Sequence, residues 1–145
     1  IEGQSQDGIP QIEQREWRVN YNTSYNFGKD SPLIPDFLGN LTVGGSMRWQ
    51  DEVGIGFGVA LNPDTGNFGP DPNQPYFGDS QMFIDLFVRS EWDLGDNRFL
   101  TAQINIDDAL DHSDDLVPVF ANPDNSRIYR FVEGRVLSAS LAFEW

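Results

Sequence analysis

The stretch RVLSASLAFEW, residues 135–145, decides the fold. Leu137, Ala139, Leu141, Phe143 and Trp145 fall on one parity, and Val136, Ser138, Ser140, Ala142 and Glu144 on the other. Successive side chains of an extended strand point to opposite faces, so this alternation predicts a strand with one apolar face. The strand runs out on an aromatic residue with no polar tail. Domain termini in water are usually polar and frayed, whereas an outer-membrane β-barrel places aromatic residues where its strands meet the membrane boundary. A barrel strand is therefore expected, with the last strand of a soluble sandwich as the alternative.

Working outward, the same alternation recurs. Over residues 16–27, Trp17, Val19, Tyr21, Thr23, Tyr25 and Phe27 share one face, and Arg18, Asn20, Asn22, Ser24 and Asn26 the other. A tilted strand of roughly 9–11 residues crosses hydrocarbon, so this segment has the required length. Residues 28–37 carry two prolines and predict a turn. From 38 to 61 the odd positions stay apolar, including Leu41, Val43, Met47, Trp49, Val53, Ile55, Phe57 and Val59, with Asp51 the exception. That unbroken parity predicts one long strand. Met82, Ile84, Leu86, Val88, Trp92 and Leu94 define a third strand over 81–94, closed by the tight Gly95-Asp96-Asn97 loop. Leu100, Ala102, Ile104 and Ile106 define a fourth over 98–108. Residues 1–15 are expected to be a polar loop or arm, and residues 62–80 and 109–134 long loops.

The fold class expected is all-β, an antiparallel meander of about five long strands. Short connections alternate with long ones, as in outer-membrane barrels with short periplasmic turns and longer extracellular loops. The four tryptophans, Trp17, Trp49, Trp92 and Trp145, all keep the apolar parity and fall mostly near strand ends. That placement predicts an aromatic girdle, with Val19, Tyr21, Val43, Met47, Ile84, Leu86, Val88, Leu100, Ile104 and Leu141 facing lipid between its two rings. Five strands cannot close a membrane barrel, whose smallest bacterial form has about eight. The chain starts at Ile1, not at a methionine. The expectation is the C-terminal portion of a larger transmembrane barrel.

Composition bounds the rest. The 145 residues carry a formal net charge of −14 and no cysteine. Nucleic acid is excluded as a partner by that charge and by the lack of a basic stripe. Disulfide and thiolate chemistry are excluded by the missing cysteines. An apolar run of the roughly 18 residues a membrane helix needs is absent, which leaves strands as the only way across a bilayer. No nucleophile–base arrangement, phosphate loop or zinc spacing occurs, so no enzyme, cofactor or metal is expected. Asp107, Asp108, Asp111, Asp114 and Asp115 supply oxygens of the kind Ca²⁺ takes, but without a glycine at the sharp turn they read as a solvated loop. His112, the single histidine, reads as a surface residue, and Asp85 with Glu91 as one acidic pair among many.

Several blocks resemble one family. Residues 41–50, LTVGGSMRWQ, are similar to the "LTVGGGVRWQ" strand of TonB-dependent outer-membrane receptors, in their siderophore-receptor-like branch. NYNTSYNF, residues 20–27, resembles the strand before it, and Ile84-Asp-Leu-Phe-Val-Arg resembles "VDLFxxY", with Ser90 where the tyrosine would fall. Residues 105–112, NIDDALDH, resemble "NVNNLFDK", and Gly134-Arg135 resembles the "GR" that opens the last strand. The blocks keep the family's order across residues 16–145. The resemblance implies TonB-energised import of a scarce nutrient, with an iron–siderophore complex as the family-level cargo. Implied partners are the bilayer and its lipopolysaccharide, the remaining barrel and plug, the TonB protein acting through an N-terminal part absent from this sequence, and the outer-membrane assembly machinery. Leu141, Phe143 and Trp145 resemble the signal that machinery reads. The expected location is the bacterial outer membrane. Two other readings stand beside this one. One is a soluble β-sandwich binding carbohydrate through Phe68, Tyr76 and Phe77; the other is a structural outer-membrane piece completed by other chains.

Overall fold

The structure, a computed structural model, describes residues 12, 14–28, 31–63 and 66–145. Nine strands and one short 3-10 turn (Asp36–Leu38) are formed among them: β1 Arg18–Asn26, β2 Asn40–Gln50, β3 Val53–Leu61, β4 Phe68–Gly78, β5 Gln81–Gly95, β6 Arg98–Asp107, β7 Leu116–Ala121, β8 Arg127–Phe131 and β9 Val136–Glu144. No helix is long and apolar enough to cross a membrane.

Five strands build one sheet in the order β1-β2-β5-β6-β9. The pairings Leu86↔Ile106, Val88↔Ile104 and Trp92↔Leu100 set β5 antiparallel to β6. Ile106↔Leu137, Ala102↔Leu141 and Leu100↔Phe143 set β6 antiparallel to β9. The antiparallel meander expected from the sequence is therefore present. It does not close on itself, since β1 and β9 are its edges. The β5–β6 turn is a two-residue loop in which Asp96 (φ 54) and Asn97 (φ 57) both take left-handed backbone. That is the type I′ geometry whose twist matches two antiparallel strands, and Asn and Asp tolerate it best. Two adjacent glycines sit mid-way along β2 for opposite reasons. A Cβ on Gly44 would strike the Phe87 ring, and one on Gly45 would strike the Asp85 carbonyl oxygen and a Leu86 methyl.

Three expectations are corrected. The strand expected over 38–61 is two strands, β2 and β3, parted at Asp51 and Glu52. Asp51 donates its N–H to the Trp17 carbonyl oxygen (3.0 Å), and its carboxylate accepts the Glu52 N–H (2.9 Å). A break of two residues leaves odd parity intact, which is why periodicity alone missed it.

The loop expected over 62–80 contains β4, paired antiparallel with β3. Pro70, Pro72 and Pro75 are tolerated because β4 pairs on one side only. The register moves from Phe57↔Pro75 to Gly58↔Asp71, so residues 72–74 bulge out. The loop expected over 109–134 likewise contains the β7–β8 hairpin. Its turn is tied by Asn122 N–H to the Ser126 carbonyl oxygen (2.8 Å) and by Asp124, which accepts the Ser126 hydroxyl (2.6 Å). Of the expected arm, residues 1–11 and 13 lie outside the described residues; Ile12 and Arg15 form isolated bridges to Gly54 and Val53.

The chain divides into two compact units. One gathers the two inserted hairpins, β3–β4 and β7–β8; the other is the five-stranded sheet. The hairpin unit has a small core of its own: Val53, Ile55 and Ala121, with Tyr76 against them. Ile55 is fully buried. β7 approaches β3 so closely that a Cβ on Gly56 would strike the Ala121 carbonyl oxygen.

Candidate functional site: the apolar face of the sheet

Each half of the sheet's alternation has its own surface. Directly opposed residues of an antiparallel pair share a face, so Leu86, Val88, Leu100, Ile104 and Leu141 lie together through the registers above. Tyr21, Val43, Met47 and Ile84 border one shallow depression of about 520 Å³ together with Leu86 and Val88, and Ser46 and Phe87 of the opposite parity reach it too. Val19 keeps the parity of Tyr21 on β1. On β5, β6 and β9 the residues expected to face lipid thus share one side. Leu86 is 44% exposed, Ile104 51% and Leu141 73%. Exposed apolar surface of this extent is rare on a soluble monomer and marks a contact with something apolar.

Tryptophans stand at both ends of the face. Trp17 precedes β1, and Trp49 is the penultimate residue of β2. At the opposite end Trp92 pairs with Leu100, which pairs with Phe143, whose ring lies 5.9 Å from that of Trp145. The Trp92 indole N–H donates to the Phe37 carbonyl oxygen at 2.7 Å. An apolar ring with a satisfied polar handle is what an apolar–water boundary selects.

The other face is polar and cross-linked, and Asp85 is its hub. One carboxylate oxygen accepts the Ser46 hydroxyl (2.9 Å) and lies 3.5 Å from the Arg48 guanidinium; the other accepts the Asp108 N–H (3.1 Å). Further along, Asn26 bonds to Thr42, Gln103 to Asn105, and Asn105 to Ser138. Glu91 pairs with Arg89 and not with Asp85, so the acid–base pairing weighed from sequence is not formed.

His112 is not a free surface residue, which corrects the sequence reading. Its Nδ1 lies 2.6 Å from one carboxylate oxygen of the buried Asp108, and its backbone N–H donates to the other at 2.8 Å. Its ring lies 5.0 Å from Phe83, over which Arg48 is stacked at 5.4 Å. The signal was the four-residue spacing; Asp108 also takes left-handed backbone (φ 51), which Asp adopts more readily than most residues but which no spacing announces. No group of acidic or histidine side chains able to hold a metal is formed among the described residues.

Asp111 completes this clasp. It accepts the Arg135 N–H at 3.2 Å, while the Arg135 side chain donates to the Ala109 carbonyl oxygen at 2.9 Å. The Arg135 N–H, followed by the Ser113 hydroxyl, holds the Asp111 carboxyl below its ordinary value. A depressed folded-state value means that the contribution is complete above the unfolded carboxylate range and is lost as pH falls through the folded value. Protection of the Arg135 amide from hydrogen exchange, taken relative to the free-amide rate at each pH, should therefore hold at pH 5 and fall only below the ordinary carboxylate range. Asp111→Asn should remove that acid dependence.

Comparison with protein-family models, with curated proteins and with solved structures finds no match to this chain.

Proposed function

We propose that the chain supplies five adjacent strands to the wall of an outer-membrane β-barrel of the TonB-dependent receptor kind. Its work is then energised import of a scarce nutrient, with an iron–siderophore complex as the cargo class suggested by sequence resemblance. The observation that carries this reading is the exposed apolar face, bracketed by tryptophans and open at both edges. In hydrocarbon every backbone polar group must be paired. The free rows of β1 and β9 therefore require neighbouring strands, supplied by the rest of the barrel. The face with Asp85, Asn105 and Gln103 would turn to the lumen and the plug, and Leu86, Ile104 and Leu141 to the bilayer and its lipopolysaccharide. The inserted hairpins would take the place of the long extracellular loops. The protein is a transport component, not an enzyme, and needs no cofactor of its own.

A carbohydrate platform of Phe68, Tyr76 and Phe77 is less well supported. Tyr76 packs on the hairpin core, and its hydroxyl is spent on the Pro123 carbonyl oxygen (3.1 Å).

Detergent dependence tests the proposal. The purified chain should show a defined sheet signal and a single particle size in dodecyl maltoside, and should aggregate when the detergent is removed. A monomer that unfolds cooperatively in detergent-free buffer would overturn it.

A further inference from the structure

The hairpin unit holds a cleft of about 390 Å³. That lies within the range of small-molecule sites, roughly 300–1,000 Å³. Phe57, Phe68 and Phe120 line it, Pro70 and Pro123 stiffen its walls, and no lining residue is ionisable. Phe68 is 76% exposed and Phe120 39%, so two aromatic rings are held in water at the mouth.

Gly56, Gly58 and Gly69 also border it. Gly56 is required for the close approach of β7, and Gly58 receives the Gln74 side chain from the β4 bulge. The walls are also set in advance, because the Tyr76 hydroxyl fixes the Pro123 carbonyl oxygen at 3.1 Å.

We infer that this cleft binds an uncharged aromatic ring, received between Phe57, Phe68 and Phe120. Aromatic pairs gain from offset or edge-to-face contact beyond their buried area, and three phenylalanines offer that contact. Charge fixes the class further. The described lining offers an anion no partner, so an anionic ligand would lose its hydration with nothing in exchange. A sugar would find none of the polar side chains its hydroxyls need. The inference concerns the hairpin unit alone and does not rest on a membrane location for the sheet.

The test places 4-fluorophenylalanine at position 68 of the full chain and follows its ¹⁹F resonance. The chain is held in detergent or, if it stays folded without detergent, in buffer. Indole is the neutral probe and indole-3-acetate the anionic one, with a second label at Phe143 reporting non-specific partitioning. Indole should move the Phe68 signal saturably, at least about tenfold more tightly than indole-3-acetate, while Phe143 drifts without saturating. Phe120→Ala should weaken indole binding at least about tenfold and leave the circular dichroism unchanged. Should that variant misfold, Phe57→Leu serves instead, with an expected loss of indole affinity. A Phe68 shift that never saturates, equal affinity for the two probes, or full binding in the folded variant would overturn the inference.

Discussion

In the barrel wall proposed above, Leu86→Arg should cost about 2–4 kcal/mol, the penalty for a lipid-facing charge near the bilayer midplane. Leu86 lies mid-way along β5, opposite Ile106, with its side chain on the open apolar face. A guanidinium there would stand among Val88, Ile104 and Ile106 and, in a bilayer, would have to snorkel or draw water into the hydrocarbon. Gln103→Arg is the matched control. Gln103 is one strand away, on the polar face beside Asn105 and opposite Arg89. Repulsion from Arg89 should cost it only a few tenths of a kcal/mol. Urea titration of the two variants in liposomes, together with their abundance in the outer membrane, measures the difference. Equal effects would show that neither face meets lipid.

In the receptor barrel proposed above, replacing both Phe143 and Trp145 by serine should abolish outer-membrane accumulation. β9 is an edge strand whose outer row of N–H and C=O groups is unpaired, and its apolar side chains alternate from Leu137 to Phe143. Such a strand is suited to capture by β-augmentation, in which backbone bonds provide affinity and alternate side chains provide specificity. Phe143 and Trp145 form the aromatic end of that row. Fractionated cells should hold the double variant in the periplasm or as degradation products. Ser140→Thr, on the polar face opposite Gln103, should assemble normally. Normal membrane levels of the double variant would remove the assembly role given to Leu141, Phe143 and Trp145.

The sheet was legible because two-residue periodicity reports a strand with one apolar face and little else. β1, β2, β5, β6 and β9 begin or end within a residue or two of where the pattern places them, β2 excepted at the Asp51 break. Leu86, Val88, Leu100, Ile104 and Leu141 share the face their parity assigns. The hairpins were illegible for opposite reasons. β4 carries three prolines, and proline is read as punctuation; only its unpaired side makes them harmless, and sidedness is a tertiary fact. β7 and β8 did leave a signal in LVPVFA and RIYRF flanking the turn sequence Asn122-Pro-Asp-Asn-Ser126, which the surrounding acidic residues obscured. Of the Asp108–His112 contact only the four-residue spacing stands in the sequence. It depends on a left-handed residue and on Asp85 reaching across from β5.

Gly56 against Ala121 has a consequence for how the protein can vary. Insertions between sheet strands are commonly pictured as independent ornaments, each free to lengthen or diverge. Here the two share one interior, because the fully buried Ile55 belongs to the first and the Ala121 packed on it to the second. A change in β3 is therefore felt by β7. The hairpins form one packing unit, to be exchanged together or not at all. A chimaera that takes β3–β4 from another protein and keeps its own β7–β8 would carry half of each interior.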